Sequence, residues 1–143
     1  MASSKVHKQL STTPFQELSL TSKRDHIPLE ISGYKPLDLE RRNAVAAKLY
    51  PENQELNEDQ RDAVKHAMGQ LLIIACAGAG KTRVTITKIA EYILAGVPAS
   101  EILATTFTSK AAGEMKERLE DVFDGAIRRL PTVGTMHLSL IHI

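Results

Sequence analysis

Leu71-Leu72-Ile73-Ile74-Ala75-Cys76-Ala77-Gly78-Ala79-Gly80-Lys81-Thr82 is the stretch from which the fold of this chain is read. Its first half, Leu71 to Cys76, is a short unbroken apolar run, the pattern of a strand buried on both faces of a parallel sheet. Gly78 and Gly80 then let the backbone turn so that successive N–H groups point inward. Beyond them Lys81 to Ala95 reads as a helix, with Val84, Ile86, Ile89, Ala90, Tyr92 and Ile93 as apolar positions and Gly96-Val97-Pro98 as its end. A glycine-rich loop between a buried strand and a helix is the frame of a phosphate-binding loop (P-loop). The helix start adds its positive dipole end. Lys81 is placed to reach the β- and γ-phosphates of a nucleotide, and the Thr82 hydroxyl to bind Mg²⁺. The strict pattern has Gly at position 75, where this chain has Ala, a residue that serves if its φ is negative. The bland alternative is an ordinary glycine-rich turn before a helix.

Working outward, Leu56-Asn57-Glu58-Asp59-Gln60 opens a helix: Asn57 caps it, Gln60 stands in capping-box position, and Ala63, Val64 and Ala67 form its apolar stripe up to Gly69. Ile102 to Phe107 predicts a second strand. Ser109 to Val122 predicts a helix through Ala112, Met115 and Leu119, and Val133-Gly134-Thr135-Met136 starts a third strand. Strand, helix, strand, helix, strand implies an α/β fold, a parallel sheet with flanking helices. Upstream, Met1 to Lys35 is rich in Ser, Thr and Lys and has no sustained period, so it reads as a poorly ordered extension. Leu37 to Leu49 can form a short helix that Pro51 stops. Residues 1–55 are thus expected to be an N-terminal extension, and 56–137 the packed domain.

Composition narrows the function. The 143 residues carry 18 Lys+Arg and 17 Asp+Glu, a formal charge of +1. That balance excludes a histone-like basic binder and an acidic tail, so any nucleic-acid contact comes from a local patch. One cysteine excludes a disulfide framework, and no cluster with zinc spacing is present. There is no signal-peptide pattern and no window of about 18 apolar residues, which leaves a soluble, cytoplasmic protein as the expectation. Cys76 stands beside a helix start that can lower its pKa, although a small buried residue is the plainer reading. Glu114, Lys116, Glu117 and Arg118 read as a solvated helix face.

The flanks of the loop say more than the loop. Gln60 precedes it. Thr106-Phe107-Thr108-Ser109-Lys110-Ala111-Ala112-Gly113-Glu114-Met115 and then Val133-Gly134-Thr135-Met136-His137 follow it. Over about residues 56–137 these segments, in this order, resemble the UvrD/Rep/PcrA-like DNA helicases of superfamily I. The resemblance implies an incomplete RecA-like P-loop domain, the N-terminal part of an ATP-dependent 3′-to-5′ DNA helicase, with ATP and Mg²⁺ as cofactors and single-stranded DNA as partner.

It also implies residue roles. Gln60 matches an adenine-reading glutamine; its amide offers the donor and acceptor that the adenine N6/N7 edge needs. Arg83 is similar to an arginine packed near the base, or is a solvated helix arginine. Lys81 and Thr82 carry the phosphate and metal roles. Phe107, Thr108, Ser109 and Lys110 match the first DNA-holding motif: a ring for base stacking and groups for phosphates. The alternative there is a core Phe107 and a merely capping Ser109. The family has Asn more often at 109 and Phe at 136. Thr135 and His137 match a second DNA-backbone motif.

An NTPase of this type also needs an Asp–Glu pair after a strand, for Mg²⁺ and for the attacking water. Glu120-Asp121 and Asp124 end a polar helix and do not fit. A second RecA-like domain, the source of transition-state arginines in the family, is not in the chain, so the fragment alone is expected to be inactive. Leu138-Ser139-Leu140-Ile141-His142-Ile143 does not continue the family pattern and equals the translation of a transposase adapter end common in sequencing libraries. It is expected to be non-native. A helicase–nuclease subunit of RecB/AddA type, or a non-catalytic nucleotide- or DNA-binding module, are the alternatives.

Overall fold

Helices begin here where a side-chain oxygen is available to accept from their first N–H groups. Asp38 accepts from the Arg41 N–H and starts α1 (Leu39–Leu49). Asn57 starts α2 (Glu58–Lys65) with a complete capping box. Thr108 accepts from the Ala111 N–H and starts α4 (Ser109–Phe123). The helix between them, α3 (Lys81–Leu94), starts on Gly80 with no side-chain cap. The computed structural model describes residues 29–51, 54–66 and 68–137. Two short strands complete it, β1 (Leu103–Thr106) and β2 (Thr132–Thr135), with a 3-10 turn at Ala99–Glu101 before β1.

The two strands pair in parallel, Leu103 opposite Thr132 and Thr106 opposite Thr135, so β1-α4-β2 is one crossover unit. α3 is the central helix. Val84, Ile86, Ile89, Ala90, Ile93 and Leu94 are all buried, and Tyr92 is half-buried. Val45, Ala46 and Leu49 of α1, Val64 of α2, Ala104 of β1 and Met115, Leu119 and Phe123 of α4 belong to the same core. The chain is therefore mixed α/β, as its pattern predicted, with a small parallel sheet.

The described residues before 55, from Leu29 onward, contribute to this core. Leu29 and Ile31 are buried, and the Leu37 N–H donates to the Leu94 carbonyl at the end of α3 (3.1 Å). Lys35 passes so close to Gly96 that a Cβ there would lie 2.1 Å from the Lys35 carbonyl oxygen; with φ at +102°, only glycine fits. Lys48 of α1 donates to the Asp121 carbonyl (3.0 Å) and to Asp124 (2.7 Å), tying α1 to the end of α4. That contact holds the Asp124 carboxyl below its ordinary pKa. Inside the core, the Tyr50 hydroxyl donates to Glu91 of α3 (2.6 Å). Burial pushes the Glu91 carboxyl up to about 7, against the pull of Tyr50 and of the Arg42 charge. The poorly ordered extension expected up to Lys35 thus gives way, from Leu29, to packed chain; residues 1–28 lie outside the described residues, as do Ala67 and the tail 138–143.

One element is corrected outright. Leu71 to Cys76 forms no strand, and all six residues are exposed, Leu72 at 82% and Ile74 at 89%. The reason is the absence of a ladder neighbour among the described residues: β1 and β2 pair with each other, and no strand pairs with the run. A strand's N–H and C=O groups need a second strand, whatever its side chains prefer. Among the described residues the expected three-stranded sheet is therefore two-stranded, and Cys76 is exposed where a small buried residue was the plainer reading. The other expected boundaries shift by a few residues; the cap of α4 is Thr108, not Ser109.

Candidate functional site

The loop from Ala75 to Gly80 enters α3 through two left-handed glycines, Gly78 at φ +80° and Gly80 at φ +79°. These angles turn the chain through the tight bend that an anion cradle requires. Among the described residues no side chain caps α3, so its first N–H groups have no side-chain acceptor. Lys81 lies at that entrance. Its ammonium donates to the Ala75 carbonyl (2.9 Å) and the Cys76 carbonyl (2.6 Å), so it spans the loop from within. Thr82 is exposed on the first turn of α3. Arg83 is half-buried, and its Nη2 is buried without a hydrogen-bond partner among the described residues, so it is not a solvated surface arginine.

Gln60 stands over the same loop. Its Oε1 accepts from the Asn57 N–H (3.1 Å), closing the capping box, and its Nε2 donates to the Ala79 carbonyl (3.0 Å). The approach is close: a Cβ at Gly80 would lie 2.7 Å from Nε2. Gly80 therefore serves twice, for its φ and for the space that Gln60 fills. One amide hydrogen and one lone pair of the Gln60 side chain remain after these two bonds, a donor and an acceptor side by side. The residues Gln60, Ala77, Gly78, Ala79, Gly80, Lys81, Thr82 and Arg83 are thus gathered around one helix end.

The second predicted group falls at the ends of the strands. Phe107 follows β1 and is 87% exposed, which disposes of the core reading. The Thr106 hydroxyl donates to the Thr108 carbonyl (2.9 Å), and Thr108 in turn caps α4. Ser109 and Lys110 are exposed on the first turn of α4. After β2 the pattern divides: Thr135 is buried, while Met136 and His137 are exposed. Two of the three acids at the end of α4 are engaged in ion pairs, Asp124 with Lys48 (2.7 Å) and Glu120 with Lys116 (3.8 Å). Neither β1 nor β2 is followed by an Asp–Glu pair.

Sequence reading missed Lys88. It lies two turns beyond Lys81 on α3, half-buried, and its ammonium donates to the Ala63 carbonyl (2.9 Å), the Val64 carbonyl (3.5 Å) and the His66 carbonyl. Burial lowers its pKa from the ordinary lysine value. The only local signal was a lysine between Thr87 and Ile89, in the buried part of a helix.

Comparison with known proteins gives a consistent picture. The sequence profile of the UvrD/REP helicase N-terminal domain matches residues 56–141. A Mycobacterium tuberculosis protein named ATP-dependent DNA helicase UvrD1 is 47% identical over 89 residues, 62% of this chain and 11% of the relative. Its counterpart from Mycobacterium leprae is 45% identical over 89 residues, with the same coverage. The Mycobacterium tuberculosis protein named ATP-dependent DNA helicase UvrD2 is 41% identical over 88 residues, 61% of this chain and 12% of the relative. The chain spans about a tenth of the length of these curated relatives.

Proposed function

The chain belongs to the UvrD/REP helicase N-terminal domain family, and on that premise we propose that it is the nucleotide-binding part of an ATP-dependent 3′-to-5′ DNA helicase with an incomplete RecA-like fold. The observation that carries the reading is Gln60: one side chain closes the cap of α2, bonds the loop at Ala79 and keeps a donor and an acceptor for a base. A glutamine held this way suits the adenine edge, which offers one acceptor and one donor side by side.

The residues present fit a magnesium nucleotide. The uncapped start of α3 supplies N–H groups for phosphate oxygens, and the two left-handed glycines keep the cradle free of Cβ atoms. Lys81 exchanges its two carbonyl partners for phosphate oxygens, a charge-assisted contact stronger than either. Thr82 offers its hydroxyl to Mg²⁺, which when bound neutralises charge on the β- and γ-phosphates. Arg83 follows one residue on, and its buried Nη2, without a hydrogen-bond partner among the described residues, is a donor available to a ligand. Binding of the nucleotide is the role assigned to these residues. In the RecA-like reading Leu71 to Cys76 becomes a sheet strand once a neighbouring strand lies beside it; its exposed, apolar side chains support that.

Single-stranded DNA is assigned to Phe107, Thr108, Ser109 and Lys110, with His137 as a backbone contact. An aromatic ring exposed at a strand end beside a helix start is suited to base stacking and phosphate binding together. Thr135, being buried, would act by holding the turn that presents His137.

Titration with a fluorescent ATP analogue in Mg²⁺ tests the nucleotide assignment. Wild type binds and Lys81→Ala does not; retained affinity in Lys81→Ala rules out the loop. Oligo-dT anisotropy tests the DNA assignment: Phe107→Ala weakens binding by about 1–3 kcal/mol. An unchanged affinity removes Phe107 from the interface.

A further inference from the structure

We infer that Lys88 is a positioning residue for the base-reading Gln60: it anchors the far end of α2 so that the near end holds Gln60 against the phosphate loop. The inference rests on the adenine role proposed for Gln60.

α2 has eight residues and packs chiefly on α3. A helix of that length is not stable by itself in water. It has one fully buried side chain, Val64. Its position therefore depends on a few attachments. At the N-terminal end the attachment is the bond from Gln60 to Ala79, the capping box being internal to α2. At the C-terminal end the last carbonyls have no helical partner. Lys88 supplies one, donating to Ala63, Val64 and His66 at once. An ammonium has three donors and no acceptor, so it matches three carbonyls, and its charge opposes the negative end of the helix dipole. The Tyr92 ring lies 5.5 Å from the same nitrogen and covers it from the next turn of α3.

The spacing of the two attachments matches. From Lys81 to Lys88 is seven residues along α3, a rise of about 10 Å. From Gln60 to Lys65, the last residue of α2, is five residues, a rise of about 7–8 Å, with His66 one residue beyond. The two helices thus run side by side in the same direction, pinned at the loop by Gln60 and two turns on by Lys88. With the second pin lost, α2 pivots about its cap and the Gln60 amide leaves its place over Gly80.

A purely structural role for Lys88 would lower stability without altering the choice of base. The test is therefore the ratio of ATP to GTP affinity, measured by equilibrium titration on the chain with Mg²⁺. GTP shares the triphosphate and lacks the adenine edge. Gln60→Ala is the reference and lowers ATP affinity by about tenfold, the worth of one or two lost hydrogen bonds, with GTP little changed. Lys88→Met keeps the aliphatic stem and is expected to lose most of the ATP preference in the same way. Lys88→Arg keeps charge and donors and retains it. Lys88→Gln, which keeps two donors and no charge, gives an intermediate ratio and serves if Lys88→Met does not fold. If the Lys88 variants keep the wild-type ratio while Gln60→Ala loses it, the inference is overturned and the adenine reading stands. If Gln60→Ala also keeps it, the adenine reading falls, and the inference with it.

Discussion

Leu71–Cys76 and Leu103–Thr106 carry the same sequence signal and end in different states. The first is the longer and the more apolar, yet it is exposed and irregular; the second, two of whose four residues are threonine, is a strand. What separates them is a neighbour. β1 has β2 beside it in parallel register, and the Thr132 N–H donates to the Ile102 carbonyl (3.1 Å) to open the pairing. The apolar run has no such neighbour among the described residues. Strand formation is a property of pairs, and side-chain preference supplies only the fit to a surface that pairing creates. The same contrast holds for energy: the core gathers residues of α1, α2, α3, α4 and β1, while the run contributes apolar surface that water still covers.

The largest expected effect sets these two regions against each other. Leu119→Ala, in the fully buried part of α4, should cost about 2–5 kcal/mol, because a core leucine loses transfer energy and leaves a cavity. Ile74→Ala, in the exposed run, should stay within about 0.5 kcal/mol. Urea denaturation of both variants decides the matter. Equal losses would break the comparison and mean that the run is packed in solution.

Next in size is a pH effect on the buried side alone. Glu91 titrates near 7 in the folded chain against an ordinary value of 4.5. Between those values the folded chain holds a proton that the unfolded chain has lost, so stability falls as pH rises through the window and levels off above it. The loss is on the order of 3 kcal/mol. Glu91→Gln should flatten the dependence; a dependence of the same slope in that variant would show that another group causes it.

A smaller effect is expected at α2, which packs on α3. Asn57→Ala removes the acceptor for the Gln60 N–H (2.9 Å) and should cost about 1 kcal/mol. Circular dichroism melts would reveal it, and an unchanged melting point would remove the capping box from the account. The smallest effect is an absence of protection. Cys76 is exposed at the end of the apolar run, so its thiol should react with a maleimide in native buffer nearly as fast as in denaturant. Strong protection would place the run inside a sheet.

Much of this was legible in the sequence. The helices at Leu39–Leu49, Lys81–Leu94 and Ser109–Phe123 follow from their apolar spacing, and the Asn57–Gln60 capping box from two residues three apart. The glycines at 78 and 80 announced the turn. Three things were hidden. The fate of Leu71–Cys76 depends on a ladder partner, which no local pattern contains. The burial of Leu29, Ile31 and Tyr50 depends on long-range packing against α3, and their segment lacks a clear period. Lys88 looks like any helical lysine until α2 is laid beside it, because the carbonyls it serves lie more than twenty residues away in the chain.

The central claim is that one nucleotide is held between the phosphate loop and Gln60. Amide hydrogen exchange, compared with and without MgATP, tests it most directly. The account predicts new protection at Ala77 to Arg83 and across the first turn of α2, with α4 and β2 unchanged. Protection confined to other segments, or none at saturating MgATP, would contradict it.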